Sequence, residues 1–362
     1  MISQGELSRV AKQAAAQAGF DLAGIASVRD EDFPELAAFT EWIESGHAGE
    51  MKYLEKRNES GELRRAALRN AAPWAKSVIV CALNYNADAP YSTQVCDPAR
   101  GWISRYAWTP RDYHDLLLKR LERVETAVRA CAAEHNLASE TRCYVDTGPV
   151  VERVYAKYAG IGWIGKNTCI IHQKLGSWIF LGVVLTSLEL APDVPATDRC
   201  GSCTRCMDAC PTEALIAPGK MDARRCIAYL TIEKRGEMPT EFRQAVGHHV
   251  FGCDICQDVC PWNTKPGNAP PANAPEFQPQ EKLVHPELQL LARMDEEEFR
   301  AIFRGSPVKR AKYAGLKRNV AIAMGNSGNK DFLPELKRMA ADADPIVAEH
   351  ARWALDQLSS QP

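Results

Sequence analysis

Eight cysteines between positions 200 and 260 carry the most specific chemistry in the chain. Cys200, Cys203, Cys206 and Cys210 are separated by two, two and three residues, and Pro211 follows. Four thiolates at that spacing on one tight loop can converge on a cubic iron–sulfur cluster, and the proline ends the loop. A second run, Cys253, Cys256 and Cys260 before Pro261, lacks its first member, because position 250 is Val250. Cys226 is the only cysteine between the runs and is the natural substitute. Eight ligands then serve two 4Fe–4S clusters. Zinc is the alternative, since Cys-x-x-Cys is also a zinc motif. Three close cysteines followed by Cys-Pro, nearly twice over, argue against it.

In two-cluster ferredoxins the fourth cysteine of each run serves the opposite cluster. Applied here, cluster one takes Cys200, Cys203, Cys206 and Cys260, and cluster two takes Cys210, Cys226, Cys253 and Cys256. Two neighbouring clusters conduct single electrons. The expected order is entry at cluster two, transfer to cluster one, then delivery to the reacting centre. The other five of the 13 cysteines, Cys81, Cys96, Cys131, Cys143 and Cys169, are scattered and are expected to fill core.

A chain of 362 residues predicts two or three domains. A net charge of −2, with 46% hydrophobic and 25% charged residues, excludes wholesale disorder and leaves nucleic-acid binding open. No apolar run is long enough to span a membrane. The first helix lacks a signal peptide's apolar block, and no twin arginines precede it. The chain is expected to be cytoplasmic, with no membrane association, and monomeric, since no heptad demands a partner.

These ligands need a scaffold. Residues 1–190 alternate helical and strand-like runs: SVIVCAL, TRCYVD and SWIFLGVVLTSLEL as strands, DYHDLLLKRLERVETAVRACAAEH as a long amphipathic helix. Residues 191–265 hold the cluster motifs. Five prolines in residues 264–280 mark a Pro-rich linker, set at 266–284. Residues 285–362 are helical, with Gly-Asn and Asp-Pro breaks resembling one and a half HEAT-type units. The fold class is α+β: a mixed α/β domain, a ferredoxin-like domain and a HEAT-like tail.

Further candidates lie outside the cysteines. From Phe299 to Lys330 the chain has eight basic residues, Lys309, Arg310, Lys317 and Arg318 among them, and no acid. A solvated helix face is the ordinary reading; so long a run in an acidic chain favours a phosphate-binding face. Asp146, in Asp-Thr-Gly at a strand end, is a single copy, so it is no aspartic-protease dyad. A turn cap is its ordinary role, whereas a strand-end acid facing the clusters is placed to donate protons. Gly160-Ile-Gly162-Trp-Ile-Gly165 matches a dinucleotide fingerprint but follows a helix and precedes a strand, the wrong context. A tight loop fits better, with Lys166 and Asn167 suited to anionic or amide groups. Arg153 lies just past Asp146 and suits phosphate or ribose. In Asp112-Tyr113-His114 the position that would need glycine is Leu117, so this is not a corrinoid-ligating histidine motif.

Taken together, Gly46 to Leu54, Arg105-Tyr106 with Asp112-Tyr113-His114, Val145 to Pro149, Gly160 to Asn167, Cys226 to Glu233 and both cluster runs resemble the epoxyqueuosine reductases over nearly the whole chain. The segments at 59–74 and 107–111 depart from that pattern. The resemblance implies a nitroreductase-like cobalamin-binding first domain, two 4Fe–4S clusters, a tRNA substrate and an unidentified low-potential electron donor. It implies reduction of epoxyqueuosine at the tRNA wobble position to queuosine, with Asp146 as proton donor. It also implies cofactor contacts from Arg105, Tyr106, Asp146, Lys166, Asn167, Tyr229 and Thr231. Substrate contacts are expected from Tyr113, His114, Arg153 and the basic tail. A reductive dehalogenase shares cobalamin and two clusters but brings an export signal and no basic tail. A ferredoxin-type carrier leaves the first 190 residues without a purpose.

Overall fold

The computed structural model describes residues 2–29 and 33–360. Its first part contains α1 (Gln4–Gln17), β1 (Leu22–Ser27), α2 (Pro34–Glu44), β2 (Ser77–Asn84), β3 (Trp102–Ile103), α3 (Tyr113–Glu134), β4 (Thr141–Tyr144), α4 (Glu152–Tyr158), β5 (Trp163–Ile164), β6 (Ile170–Ile171) and β7 (Ile179–Thr186). Four strands form an antiparallel sheet in the order β1-β2-β7-β4. All eight residues of β2 are buried, which requires cover on both faces. Alternation sorts them: Ile79, Cys81 and Leu83 face α1 and α3, while Val78, Val80 and Ala82 face α4. Gly182 on β7 admits α3, since a Cβ there would lie 2.8 Å from a Leu121 methyl.

The cysteine-rich segment contributes α5 (Arg205–Asp208), α6 (Ile227–Ile232), α7 (Thr240–Arg243), β8 (His249–Phe251), α8 (Ile255–Asp258) and α9 (Pro261–Thr264). The tail adds α10 (Leu288–Arg293), α11 (Glu296–Ile302), α12 (Tyr313–Asn326), α13 (Leu333–Ala340) and α14 (Pro345–Ser360). These parts interlock. Strand β3 pairs in parallel with β8, and one core joins Trp102, Trp108 and Phe251 to Val320, Leu336 and Leu358. The Pro-rich segment is docked as well: Ala269, Ala272 and Phe277 enter the core of the first part. Asn84 and Asn86 donate to the carbonyls of Pro270 and Ala269 at 2.8 and 2.5 Å, satisfying backbone with no ladder of its own.

Helix α12 corrects the reading of the basic run. Ten consecutive residues from Leu316 to Gly325 are buried, with Lys317 and Arg318 each only 1% exposed. Both cations cap helix ends instead of facing solvent. Arg318 donates to the carbonyls of Leu230, Lys234 and Gly236 (2.6–3.1 Å), at and just beyond the C-terminus of α6. Lys317 does the same for Ala292 and Met294 at the end of α10, and burial pushes its ammonium down to about 8. Arg318→Met should therefore lower unfolding free energy by on the order of 3 kcal/mol, because it orphans buried carbonyls. A urea titration would read that loss, and tRNA affinity of the folded fraction should stay unchanged.

Candidate active site

Between the sheet, α2 and residues 216–221 lies a cavity of about 660 Å³. Ile179, Phe180 and Leu181 of β7 line it with apolar surface, and Trp42 contributes from α2. Polar groups join them, among them His47, Arg65 and Lys220.

Asp146 also lines the cavity, in the connection from β4 to α4, with φ at +58°. The Thr147 amide donates to the Val145 carbonyl at 2.5 Å, closing a three-residue turn centred on Asp146. Such left-handed turns are strained for a residue with a Cβ, and strain of this kind concentrates at functional sites. The carboxylate accepts from the Tyr113 hydroxyl at 2.9 Å and not from a turn amide, so the capping role is replaced. Its side chain remains 64% exposed, and His114 Nε2 stands 3.8 Å from the same oxygen. His114 Nδ1 lies 2.6 Å from Asp112, whose other oxygen faces Lys309 at 3.5 Å. Burial disfavours the Asp112 anion, but the hydrogen bond and charge of His114, with Lys309, hold its carboxyl below the usual range. Burial and the Asp146 charge raise the Tyr113 phenol, so it stays a donor at neutral pH. Arg310 pairs with Glu233 at 2.5 Å and covers the Tyr53 ring. Arg153 and Glu152, on the first turn of α4, complete this wall. Arg153 donates to the Thr168 carbonyl at 2.6 Å.

Packing separates two cysteine groups: Cys200 and Cys260 lie with Trp163 and Trp262, and Cys226 and Cys253 lie with Ile227 and Ile255. Trp163 donates to Cys200 Sγ at 3.4 Å and meets Trp262 edge-on, and the Ala214 amide donates to Cys210 Sγ at 3.3 Å. Donors to sulfur raise cluster potentials.

Several expected cofactor contacts are committed elsewhere. Lys166 donates to the carbonyls of Gly201 and Cys203, and Asn167 to that of Cys256, so the glycine loop straps the first part to both cysteine groups. Its glycines serve packing: a Cβ on Gly162 would lie 2.4 Å from the Ile171 carbonyl. Arg105 is buried under Tyr91, Trp108 and Trp178 and bonds the carbonyls of Ala87, Ala89 and Pro90. The Tyr229 hydroxyl accepts from the Glu50 amide, and Thr231 bonds Ile227 and Gly252. Tyr106 packs edge-on against Tyr113 at 5.9 Å. Arg105, Lys166, Asn167, Tyr229 and Thr231 thus support the walls and loops around the cavity.

Cys169 was expected to fill core, as were Cys96, Cys131 and Cys143. Of the five, Cys81 is buried in the core, Cys131 and Cys143 pack half-buried against it, and Cys96 is exposed. Cys169 instead lines the cavity, as does Gln257, the neighbour of Cys256. The cavity wall therefore reaches the segment that carries Cys256.

The chain is 38% identical over 347 residues to the epoxyqueuosine reductase of Xanthomonas campestris pv. campestris, covering 95% of this chain and 94% of that one. It belongs to the epoxyqueuosine reductase family. The Synechocystis sp. epoxyqueuosine reductase is 41% identical, covering 82% of this chain and 98% of its own. Residues 65–147 match the family described as Epoxyqueuosine reductase QueG, DUF1730, and residues 199–263 match a 4Fe-4S double cluster binding domain. The architecture agrees. A selenomethionine-labelled epoxyqueuosine reductase superposes with a TM-score of 0.84 at 32% identity, over 98% of this chain and 90% of that one. An epoxyqueuosine reductase with a tRNA-Tyr epoxyqueuosine-modified tRNA stem loop gives 0.82 at 31%, over the same shares.

Sequence reasoning missed Glu152, Arg65 and Cys169 as cavity residues. Glu152 stands one residue before Arg153, the only local signal available; the other two are placed by long-range packing.

Proposed function

We propose that the chain reduces the epoxide of epoxyqueuosine in tRNA to the alkene of queuosine at this cavity, with Asp146 as the proton donor. The observation that carries this reading is the strained Asp146, bonded to Tyr113 and lining an apolar cavity that a cysteine group abuts. Cys200, Cys203, Cys206 and Cys260 hold one 4Fe–4S cluster, and Cys210, Cys226, Cys253 and Cys256 the other. Gln257, the residue after Cys256, lines the cavity, which supports reading the second cluster as the one that feeds the reacting centre. A Bacillus subtilis relative is described with its aspartate catalytic loop swung out of the active site, in keeping with a strained loop at Asp146.

Cobalamin fits the cavity's chemistry. A broad macrocycle needs an apolar floor, here Ile179, Phe180 and Leu181, and its amide-bearing edge needs polar partners, here His47, Arg65 and Lys220. When bound, it supplies a strongly reducing cobalt centre. The chain's own residues do the rest. Phe180 and Ile179 keep water from the floor, Tyr113 orients Asp146, and Asp146 delivers its proton to the departing oxygen. His114, held by Asp112, is poised beside the same carboxylate. The first part is read as nitroreductase-like and α12–α14 as HEAT-like.

The tRNA stem loop bound by the relative supports RNA recognition here. Lys309 is 58% exposed, and Lys309 and Arg310 lie on the Asp146 side of the cavity, so they are the basic-run residues assigned to phosphate. Lys309→Ala with Arg310→Ala should weaken tRNA binding roughly uniformly and flatten its salt slope by about two. Binding isotherms across a salt series that superpose with those of the parent would sink that assignment. The reaction itself is tested by nucleoside mass spectrometry of epoxyqueuosine tRNA incubated with reconstituted protein and a reductant. Loss of epoxyqueuosine without gain of queuosine would refute it.

A further inference from the structure

The reaction has a proton balance that one acid does not close. Two C–O bonds of the epoxide break, a C=C bond forms, and the oxygen leaves as water; this consumes two electrons and two protons. The clusters supply the electrons. Asp146 carries one proton, so a second must come from elsewhere.

Glu152 sits six residues after Asp146, at the start of α4, and lines the same cavity. Its Oε1 has no solvent access and no hydrogen-bond partner. A lone buried carboxylate oxygen is costly, and protonation relieves the cost. The charged groups that bear on it are Asp146, which opposes a second negative charge, and Arg65 and Arg153, which favour one. Burial and the Asp146 charge prevail and push the Glu152 carboxyl up to about 7. An acid so poised is half-loaded at neutral pH, where proton donors work best. Two carboxyls in one cavity, one exposed at its mouth and one half-buried in its wall with an enclosed Oε1, have environments that set them apart as separate donors.

We propose that Glu152 is the second catalytic acid, giving the proton that completes the departing water after Asp146 has given the first. This rests on the Asp146 reading of the site. Infrared titration of the cofactor-free protein should show carboxylic-acid carbonyl absorbance lost near pH 7, to which Asp258 also contributes, and Glu152→Gln should remove one of the two components. In the reconstituted enzyme, Glu152→Gln should lower kcat by about 10²-fold while the KM for tRNA and the iron and cobalt contents stay put. The parent's kcat should fall as the pH rises through about 7, and the variant should lack that limb. Glu152→Asp should recover part of the rate. A parent without the near-neutral carboxyl band, or a Glu152→Gln enzyme with parental kcat and pH profile, would overturn the proposal. Full activity in Asp146→Asn beside a failed Glu152→Gln would instead remove Asp146 and leave Glu152 standing.

Discussion

Asp146→Asn is expected to lower kcat on epoxyqueuosine tRNA by about 10²- to 10⁴-fold, the range that a positioned general acid supplies. The asparagine amide can keep a hydrogen bond with the Tyr113 hydroxyl, which lies 2.9 Å from the native carboxylate. Its size suits the left-handed turn, since asparagine tolerates positive φ nearly as well as aspartate. The fold, both clusters and the retained corrinoid should therefore be unaffected, and only the transferable proton is lost. Steady-state kinetics with metal analysis of the same sample checks this. A variant that turns over like the parent would take Asp146 out of the chemistry, and loss of cobalt with activity would make it a binding residue.

Cys226→Ser is expected to remove one cluster and abolish turnover. Cys226 stands at the N-terminal cap of α6, apart in sequence from both runs, yet it packs in one cluster with Cys253. If it completes the second group, iron should fall from about eight to about four atoms per chain. Because Gln257, next to Cys256 of that group, lines the cavity, the surviving cluster should not sustain reduction. Iron analysis and the visible cluster absorbance read the outcome. Unchanged iron would return the fourth ligand to another residue.

How much of this could be read in advance depended on distance along the chain. The cysteine runs were legible because their ligands lie within a few residues of one another. The strands from Ser77 and Ile179 and the helix from Tyr113 were legible because their apolar periods are strong. Asp146 was a candidate from its place at a strand end, but its union with Tyr113, 33 residues away, needed the fold. Counting charge misled at Lys317 and Arg318. The signal against a surface helix was present, since the VAIAM stretch of α12 is apolar on every side, the mark of an enclosed helix. Arg105 misled for a related reason: a guanidinium beside a site looks like a ligand contact until its aromatic box is seen. The cavity itself had no local signature. Its walls come from α2, β7, α4 and residues 216–221, brought together only by packing.

An anaerobic iron and cobalt count on protein reconstituted with iron, sulfide and hydroxocobalamin, then desalted, tests most directly whether this cavity is a corrinoid site fed by two clusters. About eight irons and stoichiometric cobalt per chain is the predicted result. Eight irons with no retained cobalt would contradict it, leaving an electron carrier whose apolar cavity and strained aspartate have no reaction to serve.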